Sequence, residues 1–373
     1  MRKILLVFES RASYGYSKNL FDLFKKDKKI NINTLVTGTH LSRELGYSLK
    51  NITKDKIKIN YKITFYNKNF SIGIGRLIIA FSKVLKKLKP DIVVIFGDRV
   101  ELMGIAISCS YNNYAIAHVQ AGDRSGHIDD MTRMAISKLA HIHFPATKKA
   151  YNRLLRLGEQ KKRIHLVGAP QLDDINHKKL IKKKFLKIGN QVININEKYL
   201  VILQHPVFKH QKTYKKIFKK TLAACSKFKL KKYIIYPNYD PGYKHIINSI
   251  KKLNDSSFFF FKNIERQTFL SLVANSEALI GNSSSAILES PSLKIGVVNI
   301  GDRQNYREKN KNILNASYSE RDIYLKICKA INIKTKIKNI KNIHGDGKSS
   351  KRIYKFLKKV KISKELLNKD TTY

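Results

Sequence analysis

The stretch that decides the fold runs from Asp91 to Phe144: DIVVIFGDRVELMGIAISCSYNNYAIAHVQAGDRSGHIDDMTRMAISKLAHIHF. Its first run, DIVVIF, is short, apolar and rich in β-branched residues, with Gly97 at its end. That pattern suits a strand buried on both faces of a parallel sheet. Gly97, Asp98, Arg99 and Glu101 follow at once. A second run, AIAHV, ends in Gln120, Ala121, Gly122, Asp123 and Arg124. A third charged group, Asp129, Asp130 and Arg133, follows a Gly-containing turn and opens a helix expected to end near His141 and His143. Ligands of open α/β sheets bind outside the carboxyl ends of the strands. Carboxylates and arginines therefore gather at one rim.

Upstream, Lys3–Glu9 (KILLVFE) reads as a strand, SRASYG as a turn, and Ser17 to Lys25 as a helix. Ile32–Val36 is the next strand, ending in the polar loop TGTHLSRELG that carries His40. Residues 51–70 are lysine-rich and irregular; SIGIGR then opens a helix reaching Leu88. Its two glycines lack the third of a dinucleotide-binding fingerprint. Downstream, a helix runs from Thr147 to Gly158 and a short strand covers Ile164–Val167. A domain boundary falls near GAPQLDDI, with a hinge at Gly168–Asp174.

The second half repeats the alternation. Tyr199–Leu203, Tyr233–Tyr236, SFFFFKN, Ala278–Ile280 and Gly296–Ile300 read as strands. Helices lie between them, from Tyr214 to Phe228, through Ile250, and over Gln267–Ala274; PNYDPGY is a turn. From Lys309 the chain reads as helical and basic, and a last helix, Lys351–Leu367, is expected to pack back on the body. Strands alternating with helices imply parallel sheets. The expected fold is α/β: two Rossmann-type doubly wound domains, residues 1–170 and 171–350, facing a central cleft, with 351–373 packed back.

Length and charge agree with that class. The chain has 373 residues, 43% of them apolar, which suits two cored domains. The formal net charge of +47 comes mainly from lysines scattered along the chain, not clustered as in a nucleic-acid footprint. Such a surface raises the local concentration of an anionic substrate. Arg11, Arg99, Arg124, Arg133, Arg303 and Arg307 lie near Gly or acidic residues in the rim loops. Guanidinium grips phosphate or carboxylate in bidentate fashion. Cys109, Cys225 and Cys328 form no CxxC pair and read as free thiols of a reducing compartment. No apolar run resembles a signal peptide or approaches the roughly 20 residues of a membrane span. The chain reads as soluble and cytoplasmic, with no cofactor and no metal; the HIH run finds no matching carboxylate.

Several constellations carry chemistry, each beside a plainer role. GNSSSAILE puts Gly281, Ser283, Ser284 and Ser285 between a strand and a helix. There, free N–H groups and the helix dipole favour an anion; a simple N-cap is the plainer reading. Glu289 accepts hydrogen bonds from sugar hydroxyls, or is a solvated helix residue. Asp98, Asp129 and Asp130 are acid–base groups, or partners of Arg99 and Arg124 and a helix cap. His205, before Pro206 at a strand end, donates to a phosphate or acts as an acid, or is structural. His118, His141 and His143 lie in apolar patterns and read as core or helix-end residues. Arg11 is an anion clamp or a surface arginine.

Taken in order, RASYG, TGTHLS, PDIVVIFGDRVE, AHVQAGDRSGHIDD, GAPQLDD, HP, GNSSSAILE and GDRQ resemble the UDP-N-acetylglucosamine 2-epimerases, and most of all their hydrolysing branch of the sialic- and legionaminic-acid pathways. The resemblance runs from about residue 3 to 310 and rests on the motifs jointly. It implies a GT-B-like pair of domains, a UDP-sugar substrate, and a homodimer or larger assembly. It also implies elimination of UDP to a 2-acetamidoglucal, then hydration to a free mannosamine-type sugar. By motif position Asp98 and Asp129 are the acid–base candidates. Arg11, His205, Ser283, Ser284 and Glu289 would hold UDP, the serines at the diphosphate and Glu289 at the ribose; Arg303 falls near the nucleotide. Arg99, Arg133 and Ser285 join the substrate-binding set. Two positions depart from the family. Gln120 stands where many members carry Glu, so it can orient substrate but not act as a base, and that duty passes to Asp98, Asp129 or Asp123. Met134 stands where His is frequent.

Overall fold

The DIVVIF run forms a strand whose five residues, Ile92–Phe96, are all buried. A computed structural model describes the chain except for residues 42–47, 66–68, 127–128, 176–179, 181–183, 208–209, 211–212, 238–241, 263 and 373, and the side chains of residues 11, 12 and 51. The first sheet contains β1 (Arg2–Phe8), β2 (Ile30–Val36), β3 (Tyr61–Lys62), β4 (Ile92–Phe96), β5 (Ala115–Val119) and β6 (Ile142–Phe144). They run parallel in the order β3-β2-β1-β4-β5-β6. Alternate residues of a strand point to opposite faces. Accordingly Ile4, Leu6 and Val94 pack with Leu20 and Phe24, while Leu5, Val7, Val93 and Ile95 pack with Leu77, Phe81 and Leu85. Helices Arg11–Lys26 and Phe70–Leu88 thus cover the two faces.

The second half begins with an antiparallel hairpin, β7 (Phe185–Ile188) and β8 (Gln191–Asn194). Its main sheet holds β9 (Tyr199–Leu203), β10 (Lys231–Ile235), β11 (Phe258–Phe261), β12 (Ala278–Gly281), β13 (Gly296–Ile300) and β14 (Ile313–Ala316). The order is β11-β10-β9-β12-β13-β14, again parallel throughout. Each sheet reverses its winding once, between β1 and β4 and between β9 and β12. Such switch points are where doubly wound sheets bind ligands. The architecture is the Rossmann-type pair of the GT-B-like class.

The chain forms two compact units, residues 1–174 with 344–373, and residues 175–343. It returns to the first unit at His344 rather than at residue 351. The Asp173 carboxylate accepts from the backbone N–H groups of Ser349 and Ser350, at 2.8 and 2.6 Å, and so caps helix Ser349–Lys359. Ile353 and Leu357 of that helix then enter the first core. Among the described residues no helix is long and apolar enough to cross a membrane.

Several local expectations are corrected. RASYG is the first turn of helix Arg11–Lys26, because Ser10 and Ser13 form a capping box that starts the helix early. The segment read as irregular holds the end of helix Leu49–Lys54 and all of β3. The HIHF run is β6, since its helix ends at Leu139. Ile164 contributes a single bridge to His143 instead of a strand. The hairpin and β14 were not expected, and β14 interrupts the stretch read as helical from Lys309. The last helix is split into Ser349–Lys359 and Lys364–Leu367. Residues 238–241 of the PNYDPGY turn lie outside the described residues.

Candidate active site

At the first switch point the structure brings Asp98, Gln120 and Arg133 together. Arg133, on helix Asp129–Leu139, is 2% exposed. Its Nη2 donates to Asp98 Oδ2 and its Nη1 to the carbonyl of Gln120 at 3.0 Å. One guanidinium thus ties the loop after β4 to the end of β5. Burial works against the charge of Arg133, but Asp98, then Asp123 and Asp130, outweigh it and raise its pKa. Asp123 is buried and belongs to this carboxylate group. Asp130 serves the loop itself: it accepts from Ser125 N (2.8 Å), Ser125 Oγ (2.9 Å) and Gly126 N (2.7 Å). Asp129 opens the helix beside it.

The backbone under Asp98 is held from below. Gly97 N–H donates to the Val119 carbonyl at 3.0 Å, and the Gly97 carbonyl lies 2.7 Å from His118 Nε2. His118 is fully buried and also meets Ser137 Oγ at 3.1 Å. Burial, little offset by the Gly97 hydrogen bond, lowers its pKa to about 3. His118 is therefore a neutral brace. His143 is likewise internal, bonded to buried Glu159 at 2.7 Å. Arg99 directs Nε to Glu101 Oε1 at 3.3 Å. Arg11 is the first residue of its helix, and its side chain lies outside the description.

At the second switch point Asn282 is the hub. Its side chain accepts from His205 N–H at 2.7 Å and donates to the His205 carbonyl at 2.9 Å. Tyr214 Oη donates to the same carbonyl. The Asn282 carbonyl accepts from Arg303 Nη1 at 3.1 Å and from Gln304 Nε2 at 3.2 Å. His205, Ser283 and Arg303, distant in sequence, are thereby fixed around one residue. Ser283 is the N-cap of helix Ser284–Leu288, with its Oγ 2.9 Å from Ser285 Oγ. The plainer reading of that serine is thus realised, and the turn leads straight into the switch-point rim. Glu289 is buried and receives Arg266 Nη1 at 2.9 and 3.0 Å on its two oxygens. Asn282, Tyr214 and Arg266 escaped the sequence reading. Asn282 had a signal, its place inside GNSSS; Tyr214 and Arg266 act through tertiary contacts with none.

The family model described as UDP-N-acetylglucosamine 2-epimerase matches residues 23–358. The chain belongs to that family. It is 33% identical to the UDP-N,N'-diacetylbacillosamine 2-epimerase (hydrolyzing) of Legionella pneumophila over the whole of both chains. It is 34% identical to the GDP/UDP-N,N'-diacetylbacillosamine 2-epimerase (hydrolyzing) of Campylobacter jejuni over 86% of each. In fold this family member resembles the UDP-GlcNAc 2-epimerase of Neisseria meningitidis solved with UDP-GlcNAc, at TM-score 0.80 and 21% identity, covering 96% of this chain and 100% of that one. The Methanocaldococcus jannaschii UDP-GlcNAc 2-epimerase solved with UDP-GlcNAc and UDP gives TM-score 0.81 at 20% identity, covering 95% and 99%.

Proposed function

We propose that the protein is a hydrolysing UDP-sugar 2-epimerase whose substrate is a UDP-2,4-diacetamido-2,4,6-trideoxy sugar or UDP-N-acetylglucosamine. The product is the free 2-epimer, used for nonulosonic-acid or surface-glycan synthesis. The observation that carries this reading is the end-to-end identity with the hydrolysing Legionella enzyme. The cytoplasm suits its three free thiols.

The chemistry sets the demands. A base removes the C2 proton, the C1–oxygen bond to the diphosphate breaks, and UDP leaves a 2-acetamidoglucal. Water then adds its oxygen to C1, and C2 takes a proton on the opposite face. The C2 proton is weakly acidic, so a placed carboxylate and a stabilised leaving diphosphate are both required. Asp98, Asp123 and Asp129 supply carboxylates at the first rim, and Arg133 fixes Asp98. Gln120 orients the sugar, and Arg99 offers a further cation to substrate. Arg11, His205, Ser283, Ser284, Ser285 and Arg303 bind the diphosphate, with His205 as a proton donor to it, and Glu289 binds the ribose.

Incubation with each UDP-sugar in deuterated water, followed by proton NMR, tests the proposal. UDP and a free 2-epimer deuterated at C2 are expected. Asp98→Asn should lower kcat by roughly 10²–10⁴-fold while UDP still binds. A UDP-linked 2-epimer would instead identify a non-hydrolysing enzyme. Gln120 and Met134 favour a second reading, a nucleotide-sugar binding protein without catalysis; UDP binding with no turnover of either sugar would establish it.

A further inference from the structure

Two buried carboxyl groups take no part in the roles above. Glu9 ends the run of β1 and Glu101 lies in the first turn of helix Val100–Tyr111; each is 1% exposed. Glu9 lies in the rim loop after β1, and Glu101 in the helix turn that follows the rim loop after β4. Glu9 Oε1 accepts from Ser10 Oγ at 3.2 Å, and Glu101 Oε1 from Arg99 Nε at 3.3 Å. The other oxygen of each, Oε2, is buried with no hydrogen-bond partner among the described residues. A third loop is wedged against them. A Cβ at Gly38 would overlap both the Glu9 carbonyl and Glu101 Oε1, and Thr39 N–H donates to that carbonyl at 2.9 Å.

Two buried, acceptor-only oxygens at one place are costly when both groups are ionised. One proton resolves this, because it turns a partnerless acceptor into a donor. We propose that Glu9 and Glu101 form a one-proton latch that holds the β1, β2 and β4 rim loops in position around Asp98, and that loss of this proton releases them. Both are positioning residues. The proposal rests on the epimerase reading for its effect on turnover, but not for its effect on the fold.

The surroundings assign the proton to Glu9. Burial raises its pKa most; Ser13 opposes, Glu101 adds and Arg99 opposes, leaving it at about 8. Tyr16, on the same helix as Ser13, also faces Glu9, and then Asp98. Burial and those two carboxylates push its phenol well above the usual range, so it stays neutral. Glu101 Oε1 accepts from Arg99 Nε, and protonated Glu9 adds no charge beside that contact. Loss of the proton would leave a buried anion beside Glu101, opposed by Arg99. The sign of the pH effect follows from linkage. The folded chain keeps a proton that the unfolded chain releases above 4.5, so this contribution is complete below that value. It is lost as pH rises and is gone above about 8.

The test compares wild type, Glu9→Gln and Glu101→Gln from about pH 5 to about pH 9. Thermal midpoints and, separately, kcat and KM for UDP release are measured. The wild-type midpoint should fall relative to the Glu9→Gln midpoint as pH rises, because groups common to both proteins, such as buried His118, cancel in the comparison. Wild-type kcat should drop about tenfold per pH unit above the transition, with KM little changed, and Glu9→Gln should move that limb to higher pH. In Glu101→Gln, with the repulsion gone and the attraction of Arg99 kept, the transition should move to lower pH. Parallel thermal profiles in wild type and Glu9→Gln overturn the latch, as do unshifted alkaline limbs. If no UDP-sugar is turned over, the epimerase reading fails and the thermal series still decides the latch. If Glu9→Gln does not fold, the direction of the Glu101→Gln shift decides it, and an unshifted profile overturns it.

Discussion

Gln120 has φ +60 at the end of β5, a left-handed backbone that glutamine rarely adopts. Its N–H donates to the Phe144 carbonyl at 2.9 Å and its carbonyl receives Arg133, so the conformation is held from both sides. Left-handed backbone costs a residue with a Cβ roughly 1–2 kcal/mol, and glycine gives back part of that gain through its unfolded-state entropy. Gln120→Gly should therefore raise stability by up to about 1 kcal/mol in urea unfolding. It should also lower kcat at least tenfold if the amide orients the sugar. A variant both stabilised and fully active would remove Gln120 from the site. The sequence marked Asp98 and Gln120 as neighbours of strand ends and Arg133 as part of the helix opening that follows at the same rim, which is how they come together. It did not mark Arg133 as a brace for Asp98, because an arginine after two aspartates looks the same whether it faces substrate or a neighbouring loop. Nor did it give Glu9 a role, since its burial depends on three loops distant in sequence.

At the scale of elements, the strands that position both rims were legible. β4, β5, β9, β12 and β13 are buried at every residue, and each is an apolar run broken at most by one polar residue, His118 in β5 and Asn299 in β13. The missed strands lie at edges or outside the main sheets. β3 has two residues, and β14 carries Leu314 and Asn315 part-buried and exposed between its buried ends. Short alternating runs of that kind do not stand out from loops. One close approach in the second sheet makes a prediction. Gly281 ends β12 with φ +142, and a Cβ there would overlap the Leu203 carbonyl of β9 and crowd Gln204 N. These are backbone atoms that cannot rotate away. Gly281→Ala should destabilise the protein by about 3 kcal/mol or more. Because β9 leads to His205 and β12 to Asn282 and Ser283, UDP affinity should fall with it. Calorimetry with and without UDP measures both. An alanine variant with native Tm and native UDP affinity would show that the two strands can separate without cost to the rim.

At the scale of the molecule, the returning C-terminus was anticipated as a helix, but its anchors were not. Lys369 Nζ donates to the carbonyls of Ser137, Lys138 and Ala140 at 3.1, 2.7 and 2.9 Å, and lies 2.7 Å from Glu159 Oε2. A lysine so placed satisfies the end of the helix that carries Arg133, which links the tail to the geometry of Asp98. Lys369 is one of the 74 basic residues behind the net charge of +47. Their collective effect is a long-range positive potential. It draws in an anionic diphosphate substrate without altering the groups that react with it. Salt shortens the reach of that potential from a Debye length of about 10 Å at 0.1 M to about 3 Å at 1 M. Raising ionic strength over that range should therefore increase KM for the UDP-sugar several-fold and leave kcat nearly unchanged. Equal salt effects on kcat and KM would instead place the charge dependence in the ion pairs of the rims, with Asp98–Arg133 and Glu289–Arg266 the first to examine.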